Sequence, residues 1–266
     1  MDRDRPPCGS PCLHVLPLPA LTDNYIWLLH DGHGSAIVVD PGESPPVEAA
    51  LREHGLALRA ILLTHHHPDH IAGAAFLRER HQVPVHAPVD ERIEVATHRV
   101  HDGDELQIES PAARFRILGV PGHTTSHVAY AGEGLLFCGD TLFSLGCGRL
   151  FEGTPQQMLA SLDRLAALPD ATQVCCGHEY TAANARFAIT VEPGNPALHE
   201  RMEEVAALRA AGQPSLPSTM ARERATNPFL RTDSPAVIDW CRRQGVDSDD
   251  RVARFATLRA AKDHFQ

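Results

Sequence analysis

Short apolar runs that end in small or polar residues mark the first two thirds of the chain. Ala60-Ile61-Leu62-Leu63 is one, and it reads as a buried strand. After a polar stretch, residues 71–80 carry apolar positions at roughly helical spacing and predict a helix. Residues 114–120, 134–138 and 172–176 read as further strands. Beyond about residue 180 the strand signal fades. Residues 196–211, rich in Ala, Leu, Glu and Arg, predict a helix. Ser234-Pro235 reads as an N-cap with proline at the first helical position. Asp247-Ser248 can cap a last helix over 249–265. The pattern predicts an α/β (α+β) chain in three parts: a disordered tail over 1–12, a domain of two stacked sheets flanked by helices over 13–180, and a helical domain over 181–266. There is no internal repeat or low-complexity segment.

The polar stretch after the first of these strands is Thr64-His65-His66-His67-Pro68-Asp69-His70. Neutral imidazole and carboxylate suit zinc, iron and manganese. Five such side chains, so close in sequence, cannot converge on one tetrahedral ion. Two adjacent metals are therefore expected, and with them hydrolysis rather than a structural metal. Side chains alternate in an extended loop. On that basis His65 and His67 serve one metal, Asp69 and His70 the second, and His66 points away. A surface histidine cluster or tag would lack the preceding strand.

Two metals need more ligands than one loop supplies. Three predicted strands run into Gly122-His123, Gly139-Asp140 and Gly177-His178. Glycine before the polar residue permits a tight turn and close backbone approach. One histidine after one strand is usually structural; three such strand ends in order are a stronger signal.

The order THxHxDH, then His, Asp and His, resembles the metallo-β-lactamase superfamily. Finer motifs resemble its glyoxalase II (hydroxyacylglutathione hydrolase) branch: Leu21-Thr22-Asp23-Asn24-Tyr25, Gly139-Asp140-Thr141-Leu142-Phe143, Gly146-Cys147-Gly148-Arg149, Cys176-Gly177-His178-Glu179-Tyr180-Thr181, Glu192-Pro193-Gly194-Asn195 and Asn227-Pro228-Phe229-Leu230-Arg231. The likeness runs from about Val15 to the C-terminus. It implies an αββα sandwich of two mixed sheets with a C-terminal helical, glutathione-binding domain. It also implies one metal on His65, His67 and His123, a second on Asp69, His70 and His178, and Asp140 bridging both. Zinc is the expected ion, with iron or manganese as alternatives. The implied reaction is hydrolysis of S-D-lactoylglutathione to glutathione and D-lactate, the second step of methylglyoxal detoxification. Asp69 would orient the attacking water and Asp140 would hold the metal pair.

Charge sharpens the substrate question. The 266 residues carry a formal charge of -10, which argues against nonspecific nucleic-acid binding. An acylated glutathione is also an anion, so it needs a local basic patch. Arg259 and Lys262 lie three apart near the C-terminus and would share a helix face. On spacing alone they read as a solvated basic face. The resemblance assigns them to the glycine carboxylate of glutathione, and Arg149 and Tyr180 to further glutathione contacts. At Phe151 some members carry a hydroxyl-bearing Tyr. Seven cysteines without zinc-finger spacing, Cys175 and Cys176 adjacent, read as reduced buried thiols. No apolar run is long enough to span a bilayer, and the N-terminus is a poor secretory signal. A cytoplasmic monomer is expected. The competing readings are a mononuclear-iron glutathione persulfide dioxygenase, another hydrolase of the same fold, and a noncatalytic metal- or glutathione-binding protein.

Overall fold

Two six-stranded sheets face each other in the computed structural model, which describes residues 13–247 and 249–265. The tail expected over 1–12 lies outside the described residues. Sheet one runs in sequence order: β1 (His14–Ala20), β2 (Asn24–His30), β3 (Ser35–Val39), β4 (Ala57–Leu62), β5 (Val85–Pro88) and β6 (His98–Val100). The first three strands are antiparallel, and β3 to β6 are parallel. Helices α1 (Pro45–His54), α2 (Pro68–Ile71) and α3 (Ala74–His81) lie in its crossovers. The segment expected as one helix over 71–80 is divided at Gly73. A Cβ there would meet Glu43 and Pro41 backbone atoms at 2.5–2.7 Å, and its N–H donates to Pro41 O. The helix therefore restarts past that close approach.

Sheet two has the order β14-β13-β10-β9-β8-β7. Its strands are β7 (Glu105–Glu109), β8 (Ala112–Gly119), β9 (Val128–Gly132), β10 (Leu135–Gly139), β13 (Gln173–Cys176) and β14 (Ser218–Thr219). A short hairpin, β11 (Leu142–Phe143) with β12 (Gly146–Cys147), leaves β10. Helix α4 (Pro155–Ala166) precedes β13; Thr154 and Gln157 cap each other at its start. Helices α5 (Thr181–Val191), α6 (Pro196–Ala210), α7 (Met220–Thr226), α8 (Pro235–Arg243) and α9 (Arg251–Asp263) follow. Ser234 caps α8 as expected. The last helix is capped by Asp250, whose side chain accepts from Val252 N–H; of the expected pair Asp247-Ser248, Ser248 lies outside the described residues. The later segment also returns one strand to sheet two, since β14 pairs antiparallel with β13.

The period-two alternation of a strand assigns each face its core. Tyr25, Trp27 and Leu29 of β2, with Ile37 and Val39 of β3, face Phe115, Ile117, Tyr130 and Phe137 of sheet two. Ile26, Leu28, Ala36 and Val38 face the other way, onto Val47 and Leu51 of α1 and Leu77 of α3. The sheets meet at one end: Asn24 bridges to His178, and Tyr25 N–H donates to Gly177 O at 2.8 Å. The metal-type side chains gather at that end.

Candidate metal centre

Four strand ends deliver the site. His65 and His67 lie on the loop after β4, and Pro68 then starts α2, which carries Asp69 and His70. His123 follows β8, Asp140 follows β10 and His178 follows β13. Three groups have ligand atoms all within 4.8 Å of one another: His65, His67 and His123; Asp69, His70 and His178; and Asp40, His65 and His70. Asp140 lies between the first two. Its Oδ2 is 3.4 Å from both His123 Nε2 and His178 Nε2, and its Oδ1 is 3.4 Å from His70 Nε2. Asp69 Oδ2 is 3.4 Å from His70 Nε2 and from His178 Nε2.

Each ring is oriented from behind. His70 Nδ1 meets Asp40 Oδ2 at 3.1 Å, and His178 Nδ1 meets Asp23 Oδ1 at 2.8 Å. His123 Nδ1 meets Arg149 O at 2.9 Å, and His65 Nδ1 meets Thr64 Oγ1 at 3.0 Å. These acceptors place a proton on Nδ1 and leave Nε2 with its lone pair facing inward. His67 is reversed: its Nδ1 is 3.1 Å from His65 Nε2 and 3.0 Å from His123 Nε2. Three ring nitrogens at such separations cannot all be satisfied by one proton. A shared cation satisfies all three.

Electrostatics divides the site. Burial pushes His65 well below its ordinary value and His67 down to about 4, and His123 is lowered for the same reason. These imidazoles are neutral at pH 7, the state a metal requires. In the other half, burial opposes charge on His70 and His178. Asp140 and neighbouring carboxylates override it, raising His70 well above its usual value and His178 to about 10. Burial would raise Asp69, yet hydrogen bonds with His178, His70 and Asn24 hold it below the usual carboxylate range. His70 Nε2 and Asp140 Oδ1 are buried without a hydrogen-bond partner. Such atoms are costly to bury unpaired, and nitrogen and oxygen donors of this kind fit divalent metal ions.

The supporting residues were not assigned roles from sequence. Asp40 closes β3 just before Pro41-Gly42, the same strand-end signal as the ligands. It takes Thr64 N–H and Thr64 Oγ1–H at 2.8 and 2.7 Å besides His70. Its contact with His70 is at Nδ1, the nitrogen facing away from Asp140, so Asp40 orients the ring from behind. His127 stacks on His65 at 4.5 Å, and its Nε2 accepts Asp140 N–H at 3.2 Å. Only three-dimensional folding brings it there.

A cavity of about 430 Å³ opens from His123 and Asp140 and is also lined by Arg149, Tyr180, Arg259 and Lys262. All four residues expected to contact substrate thus line one space with two of the expected ligands. Tyr180 stacks on His178 at 4.7 Å. Phe151 is 63% exposed, with its ring 5.7 Å from His67 and 5.2 Å from His123. Arg259 is buried over Phe229, and Lys262 lies near Phe187 and Phe265. His66 turns away, toward Asp90 and Glu152. The five cysteines among the described residues are free and buried. A larger open groove of about 920 Å³ beside α3 contains none of these expected site residues.

Known proteins match this architecture. Residues 21–178 match the metallo-β-lactamase superfamily, and residues 179–265 match the hydroxyacylglutathione hydrolase C-terminus. A hydroxyacylglutathione hydrolase of Cupriavidus metallidurans is 53% identical over 96% of this chain and all of that protein. The crystal structure of BLEG-1 B3 metallo-β-lactamase superimposes with a TM-score of 0.63 at 24% identity, over 83% of this chain and all of that one, which shows the shared fold. The crystal structure of TTHA1623 in a di-iron-bound form superimposes with a TM-score of 0.58 at 27% identity, over 81% of this chain and all of that one. The chain belongs to the hydroxyacylglutathione hydrolase family of the metallo-β-lactamase superfamily.

Proposed function

We propose that this chain hydrolyses the thioester of S-(2-hydroxyacyl)glutathione, S-D-lactoylglutathione first among them, to glutathione and the 2-hydroxy acid. One observation carries the reading: the cavity that touches His123 and Asp140 also touches the buried Arg259 and the half-buried Lys262. It joins a hydrolytic centre to an anion-binding end. His65, His67 and His123 would hold one divalent ion, Asp69, His70 and His178 a second, with Asp140 between them; zinc is the first candidate. The ions would supply Lewis-acid chemistry, acidifying water and polarising a carbonyl.

The chain's own groups do the rest. Asp69, ionised and with Oδ2 aimed into the site, accepts a hydrogen bond from the attacking water and orients it. Addition of the water oxygen to the thioester carbonyl forms the new C–O bond, and collapse of the tetrahedral adduct breaks the C–S bond and releases a thiolate, while the proton lost by the water passes to solvent or to the departing sulfur. A free thiol has a pKa of about 8.5, so the leaving group needs no strong acid from the protein. The carbonyl of Arg149 orients His123 while its guanidinium faces the cavity, so one residue serves both ends. Arg259 and Lys262 bind the glycine carboxylate, and Arg149 and Tyr180 make further contacts to glutathione. The helical segment over 181–266 thereby supplies Arg259 and Lys262, two of the four residues assigned to glutathione.

Loss of thioester absorbance on mixing the protein with S-D-lactoylglutathione tests the reaction. Turnover that stops on chelation supports it. No turnover with full metal content, or oxygen consumption with one iron per chain, defeats it.

A further inference from the structure

A carboxylate of the chain's own stands beside the cations that line the cavity. Asp263 is the last residue of α9. Its Oδ1 accepts from Arg259 Nη2 at 3.1 Å and is 3.5 Å from Arg149 Nε. One aspartate oxygen therefore serves two of the three cations assigned to substrate. Arg259 has little else to offer. Its Nη1 donates to Cys147 O at 2.6 Å, and its buried Nε has no partner. Nη2 is thus its one outward-directed donor group, and Asp263 holds it. Lys262 makes no ion pair among the described residues, so Asp263 is the only acid paired with this cationic group.

We propose that Asp263 is a resident counter-ion that competes with the substrate's glycine carboxylate for Arg259, while also pairing with the neighbouring Arg149, and so sets how strongly the site selects glutathione thioesters. The inference rests on reading this end of the cavity as the carboxylate subsite. Three observations carry it. The Arg259 side chain is 7% exposed, and a charge so buried is costly without an opposite charge beside it. The Asp263 side chain is 36% exposed, so it can turn to water when a second carboxylate arrives. A carboxylate also gains nothing from standing at the C-terminal end of a helix, where the dipole favours cations. Asp263 therefore stays for its ion pairs, not for the helix. Substrate binding becomes an exchange of one carboxylate for another. Arg259 stays paired throughout, and the net gain is reduced by the pair that must be broken.

Removing the competing charge strengthens binding of a substrate carboxylate and of nothing else. The test uses the metal-loaded full chain and its Asp263→Asn variant, with Asp263→Ser as a second substitution. Dissociation constants are measured for glutathione and for its glycyl monoethyl ester, which lacks that carboxylate. The wild-type protein should favour the free acid. Both variants should bind the acid about two- to five-fold more tightly, as loss of a part-exposed ion pair allows, and shift little for the ester. Unchanged or weaker binding of the acid, or equal tightening of acid and ester, overturns the counter-ion role. If the wild-type protein does not distinguish acid from ester, the carboxylate subsite itself is wrong, and the proposal falls with it.

Discussion

Asp140 touches both halves of the centre, so its loss removes a donor from each. Asp140→Ala should retain little metal and lose turnover by at least the 10–100-fold typical of even supporting residues (about that range). Full metal content measured by emission spectrometry would contradict this. Asp23 never faces the centre, yet it fixes the His178 tautomer at 2.8 Å. Asp23→Ala should weaken metal affinity about 10–100-fold, read by chelator competition. Lys262 offers a pH prediction. Burial and the nearby Arg259, Arg186 and Arg149 push its pKa below the ordinary lysine value. Its charge is present at low pH and lost as pH rises through that lowered value. KM for the thioester should therefore rise at alkaline pH, beginning below the usual lysine range of about 10.4. Lys262→Arg, which stays charged, should flatten that limb of the KM profile. The seven ligand-type residues singled out in the sequence lie in one cluster, because the stretches that carry them follow apolar strands. Sequence could not place His127 or Asp23 behind them, since those contacts depend on how the strands pack.

Strand ends, more than helices, shape the centre, and their glycines show why. A Cβ on Gly177 would lie 2.6 Å from Asp140 Oδ1 and 2.7 Å from His70 Cε1. One on Gly139, at φ +47°, would lie 2.3 Å from Thr64 Oγ1. Gly177→Ala should thus lower metal content more than it lowers folding stability, as tracked by metal analysis alongside urea unfolding. The β11–β12 hairpin depends on one distant side chain. The fully buried Glu223 of α7 accepts from Ser144 Oγ and Leu145 N–H, and also from Ser218 Oγ and Asn227 Nδ2. It also fixes Leu145 at φ +61°. Glu223→Ala leaves several buried donors unpaired and should cost about 3 kcal/mol or more, measured by denaturant titration. The pattern of residues 71–80 gave helix but not its interruption. That break comes from the close approach of Gly73 to Pro41 and Glu43, which periodicity does not encode. The cap of the last helix moved to Asp250 for a similar reason: sequence offers several acids there, and the turn geometry selects one.

At the scale of the whole molecule, a chain of charge -10 gathers Arg149, Arg259 and Lys262 at one cavity, where the proposed anionic substrate would meet them. Among the described residues, no helix is long and apolar enough to cross a membrane. The two sheets and the later helices depend on each other, because β14 returns to sheet two and Glu223 reaches back to β11–β12. The centre is also where the sheets meet, so occupancy by metal should stabilise the fold. Ions that bind only the folded chain raise stability by mass action. Chelation should lower the melting temperature, and an unchanged melting temperature would mean that the centre does not hold ions tightly. The central claim is that two ions and the basic pocket act on one substrate. The most direct measurement titrates divalent metal into stripped protein while following S-D-lactoylglutathione hydrolysis in wild type and in the Arg259→Ala, Lys262→Ala double variant. Activity that saturates at two ions per chain, with KM raised far more than kcat is lowered in the variant, is the predicted result. Saturation at one ion, or an unchanged KM, would contradict it.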